Sequence, residues 1–244
     1  MNITAVLRDS FDVMKKNWVL FVPFLAAFVL MALISLVTVG SMVPFGDFES
    51  MGTMSQKEAI GAAGTSFMVF FIMMVLSGII GLLAHGMTIT MIDDALKTEK
   101  ATLSGGWHKT LQNIVPLLIA AVLVGLIVSV GFILLVLPGI VAIFFLMFSI
   151  IAVITDQTNG FSALAHSART VFRNIKATIV LFLVLIALGV LFTIVSVILG
   201  LIPILGVILS IAASAIFGVY TTIFLVISYN NLETQPDTQP DATV

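Results

Sequence analysis

Long apolar runs alternate with short polar segments along most of the chain, and the distances between charged residues decide how those runs divide. The first run extends from Trp18 to about Val43 and the second from about Ile60 to Ile92, with the polar stretch PFGDFESMGTMSQKE between them. Lys109 and Asp156 then enclose about 46 uncharged positions, about 69 Å as one helix at 1.5 Å per residue. A hydrocarbon core is about 30 Å thick, so one helix cannot stay inside it over that length. Near the middle stand Pro138, which lacks an N–H and clashes one turn back, and Gly139, which tolerates the left-handed conformation that ends many helices. A turn is predicted there, between helices over about 115–137 and 139–155. Lys176 and Glu233 enclose about 56 more uncharged positions, about 84 Å as one helix, and Pro203 in GLIPILG predicts another turn. The predicted architecture is all-α, with six transmembrane helices in three hairpins at about 18–92, 115–155 and 177–230. They form one domain over 1–232, followed by a disordered polar tail at 233–244.

A shorter period appears ahead of each hairpin. LRDSFDVMKKNW, LSGGWHKTLQNI and LAHSARTVFRNI align Leu7, Leu103 and Leu164, and also Asn17, Asn113 and Asn174. Ser10 and Ser167 match as well, with Gly106 between them in the series. In the first segment Ile3, Leu7, Phe11, Met14 and Trp18 fall on one helical face. In the third, Phe161, Leu164, Ala168, Val171 and Phe172 do, opposite His166, Arg169 and Arg173. Three amphipathic helices are predicted on the membrane surface, each leading into a hairpin in a degenerate threefold repeat. Each Asn either marks the bend into the span or is simply tolerated at a wet junction.

Composition points to lipid as the main solvent. The chain is 60% hydrophobic and 9% charged, with a mean hydropathy of +1.25, against about a quarter charged in a soluble domain. The net charge of −2 gives no reason to expect nucleic acid, and the absence of cysteine excludes disulfide and thiol chemistry. Basic residues set the sidedness. With the N-terminus in the cytoplasm, every Lys and Arg except Lys57 falls on the cytoplasmic side, which predicts a multi-pass cell-membrane protein with both termini inside. Arg8, Lys15, Lys16, Arg169, Arg173 and Lys176 are candidate contacts to anionic lipid headgroups.

The sequence LPGIV, an apolar span, an acidic residue and then FSALAHSARTVFRN together resemble a group of prokaryotic six-helix membrane domains. That group includes the membrane domain attached to some glycerophosphoryl diester phosphodiesterases, and many stand-alone proteins. The likeness runs from about Thr102 to Tyr229. It implies a six-helix membrane domain and no active site, because the phosphodiesterase chemistry belongs to a separate soluble domain.

Catalytic patterns are sparse. There is no GxSxG elbow and no phosphate-binding glycine loop. Asp93 and Asp94 are adjacent, about 100° apart on a helix, and cannot face each other as an acid–base pair. His85, His108 and His166 with Asp93, Asp94 and Asp156 lack the spacing of a metal motif, and no metal or other cofactor is expected. His85 is the one ionisable candidate within a span, read either as a gate or ligand residue or as an interfacial histidine. Gly61 and Gly64, Gly78 and Gly81, and Ser214 and Gly218 form small-residue strips that serve packing among the spans or a subunit interface. The expected function is a non-enzymatic, membrane-embedded scaffold or a module that binds lipid, a second copy or another membrane protein. The alternative is a small-solute transporter or channel with a path of Ser, Thr and His85.

Overall fold

The computed structural model describes residues 2–42, 55–98, 100–202 and 205–234, and among these every regular element is helical. The α-helices are α1 (Ile3–Lys16), α2 (Phe21–Met42), α3 (Gln56–Thr98), α4 (Leu103–Gln112), α5 (Ile114–Leu134), α6 (Val136–Leu146), α7 (Ser149–Thr155), α8 (Gly160–Arg173), α9 (Ile175–Gly200) and α10 (Leu205–Thr234). Six helical stretches are long and apolar enough to cross a membrane: Trp18–Leu36, Ala63–Thr98, Ile114–Leu134, Val136–Thr155, Ile175–Gly200 and Ile208–Thr234. Pro203, where the sequence predicts a turn, lies outside the described residues, as do the polar stretch 43–54 and the tail 235–244.

The three aligned asparagines do one job. Asn17, Asn113 and Asn174 each occupy the single residue between a short helix and the next helical segment, with φ of −124°, −102° and −116°. Each side-chain amide donates to the carbonyl four residues back: Val13 at 3.2 Å, Lys109 at 2.9 Å and Thr170 at 3.1 Å. The same carbonyl also accepts the backbone N–H of that asparagine, at 3.1, 3.2 and 3.2 Å, so the amide adds a second donor to it where the backbone changes direction.

The short helices bury a different stripe from the one their large apolar residues suggest. The buried residues are Val6 and Ser10 on α1, Gly106 and Thr110 on α4, and Gly160, Ala163, Ser167, Thr170 and Val171 on α8, of which only Val171 belongs to the predicted apolar faces. Phe11, Trp18, Trp107, Phe161 and Phe172 point outward, and Trp18 and Phe172 are each 72% exposed. Small side chains let the short helices lie close against the spans, so the aligned Ser10, Gly106 and Ser167 all sit at the contact.

Two interruptions depart from the sequence reading. The chain turns at Leu135 (φ −167°, ψ 156°), three residues before Pro138. Pro138 and Gly139 lie in the first turn of α6, where a proline costs little because its missing N–H would have had no partner. No described glycine has a positive φ, so Gly139 does not end a helix in the left-handed conformation. Its role is close approach. A Cβ on Gly139 would stand 2.6 Å from the Phe132 ring, and one on Gly131 would stand 2.8 Å from the Gly139 Cα. The second interruption is at Met147–Phe148, which splits the expected 139–155 span into α6 and α7. Here the Ser167 hydroxyl of α8 donates to the Phe145 carbonyl (2.8 Å) and accepts from the Phe148 N–H (3.2 Å). A side chain from another helix thus satisfies backbone groups that the break frees.

Packing is concentrated at one end. The fully buried side chains include Leu20, Ile89, Met91, Ile92, Leu117, Phe148, Ile151, Leu181, Phe224 and Tyr229. Leu20 and Phe148 stand just before α2 and α7, and the others come from the starts of α5 and α9, from α7 and from the later parts of α3 and α10, the region bounded by α1, α4 and α8. Toward the other end Phe67, Phe71, Ile133 and Leu137 are exposed. Of the small-residue strips, Gly81 faces Met31 and Gly218 faces the Phe24 ring, whereas Gly61, Gly64 and Gly78 have no neighbour within 4 Å of a built Cβ.

Candidate functional site

The densest polar arrangement lies where α7, α8 and α10 meet at the packed end. Asp156 follows the last residue of α7, and Gln157 beside it takes φ 51° to bring the chain back toward α8. The Thr158 hydroxyl closes this turn on the Ala152 carbonyl at 3.1 Å. From α8 come His166 and Thr170, and from α10 come Tyr229 and Glu233. The Tyr229 hydroxyl donates to Asp156 Oδ2, and the Thr170 hydroxyl donates to Glu233 Oε1. His166 Nε2 lies 3.4 Å from Asp156 Oδ2 and 3.3 Å from Glu233 Oε1. That nitrogen is buried and aligned for a hydrogen bond with neither carboxylate. The Tyr229 ring packs against Phe148 at 5.4 Å and against His166 at 6.2 Å, which holds both polar rings at the edge of the core.

Each of the three ionisable side chains is about a third exposed, 31% for His166 and 34% for Asp156 and Glu233. Pairs that wet contribute at most about 1 kcal/mol each. A protonated His166 would be attracted to both carboxylates at once, tying the start of the α7–α8 turn to the end of α10. Among the described residues no group of three His, Cys, Asp or Glu could hold a metal ion.

The sequence points to only part of this cluster. His166 and Asp156 belong to the loose set of possible metal ligands there, and Glu233 falls in the predicted polar tail. The α10 helix instead runs through Thr234 and carries Glu233 against Thr170, while the Asn174 amide contacts the Leu232 carbonyl at 3.4 Å. Thr170 and Tyr229 cannot be found from sequence as members, since the hydrogen bonds that place them span 63 and 73 residues. The remaining candidates stand apart from the cluster. His85, in α3, is half-buried with the Phe24 ring edge-on at 6.3 Å. Asp93 pairs with Lys97 at 2.7 Å and Asp94 with Lys109 at 2.5 Å, and His108 meets Gln112 at 2.9 Å. Arg8, Lys15, Lys16, Arg169, Arg173 and Lys176 lie on α1, α8 and the start of α9, all at the packed end.

A family model described as Domain of unknown function (DUF7847) matches residues 1–232. The chain belongs to this family. No curated protein and no solved structure matches it. The match spans all six apolar helices and the polar cluster up to Leu232. Nothing in it links the chain to glycerophosphoryl diester phosphodiesterases, so the likeness seen in LPGIV and FSALAHSARTVFRN transfers no activity.

Proposed function

We propose that this is a non-enzymatic multi-pass protein of the cell membrane that acts as a scaffold or as a module binding lipid or a membrane partner. In this reading the six apolar helices form three hairpins. The helices α1, α4 and α8 are amphipathic and lie at the membrane surface, with their outward Phe and Trp side chains in lipid. The close pairs Phe24–His85, Gly131–Gly139 and Phe192–Phe217 suit such hairpins. Nine of the ten basic residues, all but Lys57, then fall at the packed end, and this bias supports a cytoplasmic position for both termini. The exposed first half of α3, with Gly61, Gly64 and Gly78 uncovered, is the face offered to a second copy or another membrane protein.

The observation that carries the non-transport reading is where the hydroxyl groups go. Thr88, Thr90, Thr193, Thr221 and Thr222 each donate to a carbonyl of their own helix, three or four residues back. Their protons are spent within their own helices, which leaves them only as acceptors toward a permeating solute. Liposomes containing the purified protein should show no more ion or small-solute flux than empty ones. Flux that His85→Ala abolishes would overturn the reading.

One observation favours transport as the second reading. Interrupted membrane helices commonly border substrate or ion sites in transporters, and the break at Met147–Phe148 is followed one short helix later by Asp156. Against it, Ser167 already occupies the backbone groups that such a site would use.

A further inference from the structure

The three short helices meet the spans on their flanks, not at their tips. On α8, Ser167 reaches the Phe145 carbonyl and the Phe148 N–H, and Phe148 stands seven residues, about 10 Å, before the end of α7. On α4, the Thr110 hydroxyl lies 3.3 Å from that of Thr90, which stands eight residues, about 12 Å, before the end of α3. On α1, the Leu7 carbonyl accepts a hydrogen bond at 3.2 Å from Tyr220, which stands 14 residues, about 21 Å, before the end of α10. The short helices therefore lie beside the bundle and take up room next to it.

That room is large. The short helices have 14, 10 and 14 residues, about 57 Å of helix laid end to end and, at a width of about 10 Å, a footprint of about 570 Å². Six spans seen end-on, each a disc about 10 Å across, cover about 470 Å². The outward rings of Phe11, Trp18, Trp107, Phe161 and Phe172 carry the footprint further from the bundle. Among the described residues no short helix flanks the spans at the other end. The cross-section at the packed end is thus about twice that at the opposite end.

We propose that the protein is a wedge that recognises membrane curvature, its partner being a lipid leaflet that is convex on the side of α1, α4 and α8. The inference rests on the reading of these helices as lying at the membrane surface. A convex leaflet spreads its headgroups and opens gaps above its hydrocarbon, and amphipathic helices with large apolar side chains fill such gaps in a curvature-dependent way. Here the helices cannot leave, because the single-residue junctions at Asn17, Asn113 and Asn174 join them to the segments that follow. The cost of housing them in a flat or concave leaflet falls on every copy, and a convex leaflet relieves it. With the packed end in the cytoplasm, the protein collects where the membrane bulges toward the cytoplasm.

The test places the full chain in phosphatidylcholine vesicles about 30 nm and about 200 nm across and reads its orientation with an impermeant maleimide. The outer leaflet of the small vesicles is strongly convex, so the packed end should face outward there. The odds that Lys109→Cys is labelled should be several-fold higher in small vesicles than in large ones, and Lys57→Cys should show the reverse. Phe161→Gln together with Phe172→Gln, both on the outward face of α8, should reduce the difference, whereas Phe161→Trp together with Phe172→Trp should keep it. Equal odds in the two sizes would overturn the wedge. A difference that the Gln pair leaves unreduced would overturn α8 as part of its source. Tryptophan fluorescence separates these failures from failure of the surface reading. In Trp18→Phe the one remaining tryptophan is Trp107, which points outward from α4. Quenching of Trp107 by brominated phosphatidylcholine supports the surface reading, and with equal orientation odds the wedge alone would fall. A Trp107 that brominated lipid does not quench would overturn the surface reading and the wedge with it.

Discussion

Replacing Ser167 by alanine isolates the bond between α8 and the broken span. The side chain is fully buried, and its hydroxyl serves two backbone groups, the Phe145 carbonyl at 2.8 Å and the Phe148 N–H at 3.2 Å. Alanine nearly preserves the volume and removes only the oxygen, leaving a donor and an acceptor with no partner in a region that excludes water. An orphaned buried group costs about 1–3 kcal/mol. The carbonyl tolerates the loss better than the N–H, since it has a second lone pair. Together they should destabilise the protein by about 2–4 kcal/mol, about 30- to 1000-fold in the unfolding equilibrium. Ser10 is the internal control. It holds the matching position in α1 and is equally buried, but its hydroxyl donates at 2.7 Å to Val6, a carbonyl of its own helix. Ser10→Ala should cost only about 0.5–1 kcal/mol. Unfolding in mixed micelles by increasing SDS fraction, read by circular dichroism, measures both. If the two variants unfold within about 0.5 kcal/mol of each other, Ser167 is not closing the break, and the account of that interruption is wrong.

Other outcomes rest on the same geometry. Gly139→Leu should prevent α5 and α6 from closing, because even a Cβ meets the Phe132 ring at 2.6 Å; a loss above about 3 kcal/mol is expected in the same unfolding assay. Asn113→Ala removes the amide that donates to Lys109 and should cost about 1 kcal/mol, with faster amide exchange confined to the last turn of α4. Glu233→Ala takes away one of two acceptors of the Thr170 hydroxyl, the other being the His166 carbonyl at 3.1 Å, and should raise exchange in the last turns of α8 and α10 without unfolding the spans. The chain contains no cysteine, so Lys57→Cys and Lys109→Cys can be labelled without a background, and an impermeant maleimide on whole cells should modify the first and spare the second.

Much of the secondary structure can be read from the chain because lipid leaves few choices. Charge spacing yields the number of apolar helices, and the alignment of Asn17, Asn113 and Asn174 locates three junctions with one shared hydrogen-bond geometry. The turn near Pro138 is displaced because a leucine in an extended conformation carries no local signal, while proline suits a helix start as well as a turn. The split at Phe148 has no local cause at all; it depends on a hydroxyl from α8 that arrives 19 residues later in the chain. The buried stripe of the short helices is hard to read for a related reason. Phe161 and Phe172 carry the strongest apolar signal of α8 yet face outward, and the small side chains are left to make the contacts. The polar cluster is hidden by composition, since Glu233 stands next to a polar tail and resembles it until α10 brings it to Thr170.

The length of α3 has a mechanical consequence. Its 43 residues form one uninterrupted rod, held near Gly86 by Thr110, Leu117 and Ile154. Beyond that pivot about 30 residues, about 45 Å of helix, extend toward Gln56 with α2 as their main neighbour. A rocking of only about 5° at the pivot would sweep the distant tip through about 4 Å, so a small adjustment among the tightly fitted side chains would be delivered, enlarged, to the opposite face of the bilayer.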